Sequence, residues 1–222
     1  LYITTRLFFK SLKNYCKKIM FKKLDFFFFG GIINWMYPEY YRPKYGYLRY
    51  YILFFHYLIP QKLFRLNPKV NWPVHFTSKV LAAENITKGI LCDPGDNNNN
   101  YIQANNGIIF GSNIELGPGV SIISSNHKGN NLREHTKGKP ITIGNNVWIG
   151  ANSTVLPEVS IGNNVIIGAN SLVNKDITSN SVAVGNPCKV IKQKEPYTED
   201  LSAIIFNKKI PKNFDIFLNS NV

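Results

Sequence analysis

The sequence is short of acidic residues, of cysteine, of histidine and of long apolar runs. Asp and Glu number 13 against 26 Lys and Arg, a formal net charge of +13 over 222 residues. That imbalance fits an anionic partner, whether nucleic acid, a membrane surface, an acidic glycan or a phosphorylated cofactor, and charge alone does not choose among them. Cysteine occurs only at Cys16, Cys92 and Cys188. Their odd number and wide spacing exclude a visible disulfide framework or metal-ligand pattern and fit a reducing cytoplasm. Of four histidines only His127 and His135 fall in the repetitive part of the chain, too few for a three-histidine zinc enzyme, so no metal is expected. The apolar runs at 26–33 and 51–59 fall short of the roughly 20 residues that span a bilayer. The first is preceded by too much charge and followed by Trp35 and Tyr37, which argues against a cleavable signal. The first residue is Leu1, which fits an unusual start codon or a fragment.

What the chain does have is a repeat. Ile143, Ile149, Val155, Ile161, Ile167 and Val173 recur every six residues, and Gly144, Gly150, Gly162 and Gly168 directly follow four of them. Six matches neither the helical period nor a long strand; it suits a short strand plus a corner, repeated. Asn145, Asn146, Asn163, Asn164 and each Gly are expected to supply corner residues that tolerate positive φ. Small or β-branched residues at Val147, Ser153, Val159, Val165 and Ser171 would fill the interior beside each aliphatic. The reading is a parallel β-helix with coils stacked about 4.8 Å apart. Counting back by sixes, the phase passes through Leu116, Phe110, Ala104, Cys92, Ile86 and Val80, interrupted by a polar turn at 97–100. With 44% hydrophobic and 18% charged residues the chain is a folded one with a substantial core.

The amino end differs. Twenty-one of the thirty aromatic residues precede Asn67, interleaved with Lys and Arg. Phe8, Leu12, Tyr15 and Ile19 share one face of an amphipathic helix expected over 4–24, with Lys10, Lys13, Lys17 and Lys18 elsewhere. This appendage either packs its rings on the β-helix or a neighbouring subunit, or lies peripherally on an anionic membrane through residues 1–66. Pro60, Pro68 and Pro73 read as a linker. The expected organisation is an aromatic, basic, partly helical region at 1–76, the β-helix at 77–192, and a short carboxy-terminal cap at 193–222 with a short helix over 200–206.

The repeat breaks once, because Ile122 and Ile143 are not separated by a multiple of six. The polar excursion at 126–140 adds nothing to a repeat that could simply be extended, so function is the reason to keep it. His127 stands at its root and His135 lies within it.

The segments Phe110-Gly-Ser-Asn through Ser125-Asn-His127, the loop with Leu132-Arg133, Lys139-Pro-Ile-Thr-Ile-Gly-Asn-Asn-Val-Trp-Ile-Gly150 and Gly185-Asn-Pro-Cys-Lys-Val-Ile191 together resemble the hexapeptide-repeat acetyltransferases. The branch is that of the galactoside, maltose and capsular-sugar O-acetyltransferases, and the likeness covers roughly 80–192. The resemblance implies a left-handed β-helix, contrary to the usual right-handed crossover. It also implies a homotrimer with active sites between subunits and acetyl-CoA as the donor. His127 then corresponds to the general base, taking the proton of a sugar hydroxyl as the oxygen attacks the thioester directly. A cysteine nucleophile is the rival, although no Cys adjoins a His in sequence. Some relatives carry an acid directly after this histidine; Lys128 stands here, which leaves Glu115, Glu134 or a backbone carbonyl to orient the ring. Asn105 or Asn106 could donate to the oxyanion. Asn126, Arg133 and His135 are candidates for the acceptor. Trp148 corresponds to a position beside the pantetheine arm, with sealing of a subunit contact as its structural alternative. Ala151 and Ala169 correspond to positions whose backbone meets the pantetheine amides. Lys175 and Lys189 correspond to basic positions near the CoA phosphates, and either could instead be a solvated surface lysine. Asn186 and Pro187 would close the last coil beside the cofactor.

A non-catalytic scaffold would show uniform outward arrays and no histidine loop. Nucleic-acid binding lacks any recognised module, and a drug-inactivating acetyltransferase has no need for a membrane-seeking amino end. The expectation is a bacterial, acetyl-CoA-dependent O-acetyltransferase acting on a surface polysaccharide or its precursor, cytoplasmic, and at the inner face of the membrane if the amino end lies on it.

Overall fold

The computed structural model describes residues 21, 23–37, 40 and 49–198. The six-residue period closes into coils of three short strands, and the coils stack into a left-handed parallel β-helix. The first face holds Lys79–Leu81, Tyr101–Gln103, Ser121–Ile123, Thr154–Val155 and Leu172–Val173. The second holds Ile86–Thr87, Ile108–Phe110, Ile141–Ile143 and Ser160–Ile161, extended by a bridge from Ile161 to Ile177. The third holds Ile114–Leu116, Val147–Ile149, Val165–Ile167 and Ser181–Val184, all parallel, edged by the antiparallel strand Lys189–Gln193. Within each coil aliphatics from all three faces point in: Val155, Ile161 and Ile167 are buried together, with Val165 inside beside Ile167. Each such side chain contributes roughly 1.5–3 kcal/mol relative to exposure, so the stack stabilises itself coil by coil.

The corners follow the expectation in part. Asn146 and Asn164 take positive φ, 58° and 56°, as do Asn152 and Asn170 at 57° and 56°, each two residues after a repeat glycine. Gly144 and Gly150 serve a different need. A Cβ on Gly144 would lie 2.5 Å from Asn163 Oδ1, and one on Gly150 would lie 2.5 Å from the Ala169 nitrogen, so coils approach too closely there for any side chain. Asn145 and Asn163 act as brackets between coils instead of taking positive φ. Asn145 Oδ1 accepts from the Ser112 amide at 2.8 Å, and Asn163 Oδ1 accepts from the Asn145 amide at 2.7 Å.

Register locates the insertion. Bracket partners are 33 residues apart across the excursion but 18 apart in the next coil, a difference equal to the length of 126–140. In the earlier coils the six-residue count slips. Val80 pairs with Ile102 and Ile102 with Ile122, repeats of 22 and 20 residues against the 18 from Val155 to Val173, and in the second of these Asn105 and Asn106 widen the corner between the first and second faces, which puts Ala104 out of phase.

Among the described residues two helices precede the coils. Helix α1 contains the π-helical Phe26–Gly30 and the α-helical Gly31–Met36, and helix α2 runs through Tyr50–Ile52 into the π-helical Leu53–Leu63. Phe26 meets Tyr50, Phe29 meets Phe54, and the Tyr37 hydroxyl donates to Gln61 Oε1, so the offset stays nearly constant and the helices run parallel. The Asp25 carboxylate caps α2 from a distance by accepting from the Tyr50 and Tyr51 amides at 2.9 and 2.7 Å. Pro60, expected in the linker, lies inside α2. Its missing N–H removes an internal helix bond.

Gln61, fully buried, ties this pair to the β-helix. Its amide donates to the Val70 and Trp72 carbonyls, and its oxygen accepts from the Val74 amide. Trp72 Nε1 then reaches the Pro94 carbonyl, and the Tyr57 hydroxyl reaches that of Asp96. At the other end the chain reverses after Asn186-Pro187-Cys188 into the antiparallel strand. Residues 194 and 195 then lie along the asparagine corner, with Lys194 N–H on the Asn180 carbonyl and Asn164 Nδ2 on the Glu195 carbonyl, and the cap expected over 193–222 lies, beyond residue 198, outside the described residues. The helix expected over 200–206, and that over 4–24 apart from residues 21, 23 and 24, lie outside the described residues.

Candidate active site

The excursion is a β-hairpin. His127–Lys128 pairs antiparallel with Asn131–His135 around a two-residue turn at Gly129 and Asn130. His127 and His135 face one another across the two strands, ring centroids 4.5 Å apart and planes tilted by 34°. The root is clamped. Asn126 and Thr136 exchange bonds in both directions, with the Thr136 amide donating to the Asn126 carbonyl at 2.7 Å. Asn106, on the widened corner one coil earlier, spends both amide N–H groups on the Ser124 and Thr136 carbonyls, each at 3.0 Å.

These bonds assign work to several expected site residues. Asn106 holds the hairpin base, so its amide protons are not turned toward an oxyanion. Asn105 is exposed on the same corner, its carbonyl accepting from Asn85. Glu134 accepts from Lys128 Nζ and from Asn131 Nδ2, the latter at 2.7 Å, and so braces the hairpin instead of the imidazole. Glu115 stands on the third face beside Trp148. The neighbour His127 does have is the ring of His135. Arg133 is exposed on the second hairpin strand. A cleft of about 360 Å³ opens at the root between Asn106, Asn126, Thr136, Glu158 and Asn174, with Lys175 next along the same corner.

The residues expected at the cofactor lie mainly elsewhere. Trp148, 54% exposed, stands outward on the third face between Glu115 and Ile166. Ala151 and Ala169 follow the corner between the third and first faces. There Gly117 admits the Ala151 nitrogen to within 2.6 Å of where its own Cβ would be, and Gly150 likewise admits that of Ala169. Asn186 and Pro187 end that corner, and Lys189 opens the final strand, all three exposed. Within one chain the hairpin and this groove therefore occupy different corners of the prism, and Lys175 sits with the hairpin.

Burial pushes the Cys92 and Cys188 thiols up from their ordinary range, which disfavours the thiolate a cysteine nucleophile requires. Glu115 is raised by desolvation and then by Asp93. Among the described residues no three His, Cys, Asp or Glu side chains converge on a point that could hold a metal ion. The His127–His135 pair and the Asn106 clamp could not be read from the six-residue period. Their signal is the short Gly129-Asn130 turn between strands that place the two histidines opposite one another.

The bacterial transferase hexapeptide (six repeats) family matches residues 140–175. The galactoside O-acetyltransferase of Escherichia coli is 42% identical over 89 residues, covering 39% of this chain and 44% of that protein. A maltose O-acetyltransferase from Clostridium difficile is similar in structure, with 36% identity, coverage of 55% and 61% of the two chains, and a TM-score of 0.42. A galactoside acetyltransferase solved in complex with coenzyme A has 32% identity, coverage of 56% and 68%, and a TM-score of 0.45. The chain spans about half the length of the curated relatives it matches. Residues 140–175 thus carry the bacterial transferase hexapeptide repeat, and the chain is similar over part of its length to the hexapeptide-repeat O-acetyltransferases.

Proposed function

We propose that this protein is an acetyl-CoA-dependent O-acetyltransferase that acetylates a sugar hydroxyl of a bacterial capsular or extracellular polysaccharide, or of its precursor. The observation that carries the reading is His127 held against His135 at the root of the one polar excursion from the coil, in a chain similar to a galactoside O-acetyltransferase. Residues 77–192 would carry the chemistry, with 1–76 and 193–222 as flanks.

A sugar hydroxyl is too weak an acid to ionise at neutral pH. A ring nitrogen of neutral His127 accepts its proton while the oxygen attacks the thioester carbonyl carbon. The carbonyl π pair moves to oxygen, then returns as the C–S bond breaks. The sulfur leaves with the proton from the imidazolium, so the base is restored and no acyl-enzyme forms. Asn105 or a backbone N–H stabilises the oxyanion. Asn126, Arg133 and His135 bind the acceptor around the cleft at the hairpin root. The pantetheine arm runs past Trp148 and the backbone of Ala151 and Ala169, and Lys175, Lys189 and the turn at Asn186 and Pro187 hold the nucleotide end. Because the hairpin and the alanine groove lie on different corners of one chain, each site is completed by a neighbour, which favours a homotrimer.

Isothermal titration with acetyl-CoA tests the donor before the acceptor is known. Micromolar binding weakened by Lys189→Ala is expected; absence of binding in the assembled oligomer would turn the reading toward another donor or a scaffold.

A further inference from the structure

The amino-terminal helices are apolar on the side that faces away from their partners. Phe21, Leu24, Phe28, Ile32 and Trp35 follow the spacing i, i+3, i+7, i+11 and i+14, which is one stripe of a helix. All five are exposed, Phe28 at 65% and Trp35 at 77%, while Gly30, Ile33 and Tyr37 of the same helix are buried against α2. Phe27, 78% exposed, flanks the stripe with its ring 5.2 Å from that of Phe28, and Phe55 of α2 is exposed beside Phe29. A helix already buried on one side gains nothing in water from a second apolar side, so a further apolar phase is the occupant to look for.

Charge identifies that phase. Residues 1–66 hold twelve Lys and Arg against two acids, whereas the remaining 156 hold fourteen against eleven. A net charge of ten thus lies on the segment that carries the apolar stripe, and a net charge of three on everything else. Of its two acids, Asp25 is occupied in capping α2. A protein partner would need a large acidic surface to match; the headgroup layer of an anionic bilayer offers dispersed negative charge directly above an apolar interior. No helix among the described residues is long and apolar enough to cross a membrane, and a stripe one helix wide suits insertion of rings to the depth of the headgroups.

We infer that α1, through the Phe21–Trp35 stripe with Phe27 and Phe55, seats the protein peripherally on an anionic phospholipid surface. The coils would then stand off the membrane on Gln61 and Trp72, which fix α2 to the first coil. This inference is independent of the reaction performed by the β-helix.

The test is flotation of the full chain with vesicles of phosphatidylcholine alone or mixed with phosphatidylglycerol, over a salt series. Binding to the mixed vesicles only, weakened by salt, is expected. The triple variant Phe28→Ser, Ile32→Ser, Trp35→Ser should lose at least about tenfold in partitioning, as expected when buried rings are removed from the interface, with unchanged thermal unfolding and molecular mass. Trp35→Phe should keep binding but lose quenching by lipids brominated in their acyl chains. No flotation, equal flotation with neutral vesicles, or full binding by the triple variant would overturn the inference. So would a fall in oligomeric mass of that variant, since the stripe's occupant would then be a second copy of the chain.

Discussion

The helical pair and the β-helix are both rich in large apolar side chains, yet they bury them by different rules. In a β-helix strand alternation decides, and Val147 and Ile149 are inside while Trp148 between them is outside. In α1 Ile33 is buried and the neighbouring Ile32 is exposed, so hydrophobicity alone does not say which faces in. The comparison teaches that a period of two with a fixed corner leaves the chain one solution, whereas an aromatic helix with two apolar faces leaves the choice to its partners.

The largest effect expected should fall on one region alone. His127→Ala should lower kcat by about a hundredfold or more, the usual weight of a general base, with acetyl-CoA affinity nearly unchanged. Ordinary turnover in that variant would remove His127 from the mechanism and leave the β-helix no more catalytic than the helices.

Glycine sharpens the contrast further. Gly150→Ala forces a Cβ to 2.5 Å from the Ala169 nitrogen, where only backbone could move. It should cost about 2–3 kcal/mol in denaturant unfolding, the range of overpacking. Gly31→Ala, with helical φ of −62° and nothing within 4 Å of the new Cβ, should instead stabilise by about 0.5–1 kcal/mol. Equal signs for the two substitutions would contradict the roles assigned to these glycines.

Gln61→Leu tests whether the two regions unfold together. It leaves the Tyr37 hydroxyl, the Val74 amide and the Trp72 carbonyl to find other partners, while the Val70 carbonyl keeps Lys62 Nζ, and a loss of about 1–3 kcal/mol is expected. A separate early transition of the helices, seen by circular dichroism, would show that this residue is their main tie.

Trp148→Ala should raise the KM for acetyl-CoA while leaving kcat largely intact, and an unchanged KM would favour its role at a subunit contact. The smallest effect concerns pH. Burial, then Asp93 and Glu115, raise the Asp96 carboxyl well above its usual range. The folded state therefore holds this proton more tightly than the unfolded chain. Stability from it is full below the unfolded carboxylate range and is lost as pH rises through the folded value. Asp96→Asn should thus raise Tm at pH 8 by a few degrees, roughly what 1 kcal/mol gives in a chain of this size, and by less at pH 4. An equal shift at both pH values would point away from ionisation.

Much of the β-helix was legible because its physics is local. Ile143 through Val173 announce the coil, and the interrupted count announces the excursion. The site was legible only in part. His127 and His135 could be named, but their stacking depends on a hairpin register that six-residue counting does not describe. The early coils misled for a related reason: they run to 22 and 20 residues, the second widened at Asn105 and Asn106, and a fixed count cannot follow added residues.

By itself, then, the sequence determined the coil, its interruption and the charge imbalance, since each rests on the identity and spacing of residues along the chain. Tertiary structure alone decided that Asn106 and Glu134 brace the hairpin, and that the groove of Ala151 and Ala169 lies on another corner from His127. It also decided which apolar side of α1 is left to solvent. Those outcomes depend on which surfaces meet across distant parts of the chain, where close packing and hydrogen-bond geometry choose among partners that are chemically alike.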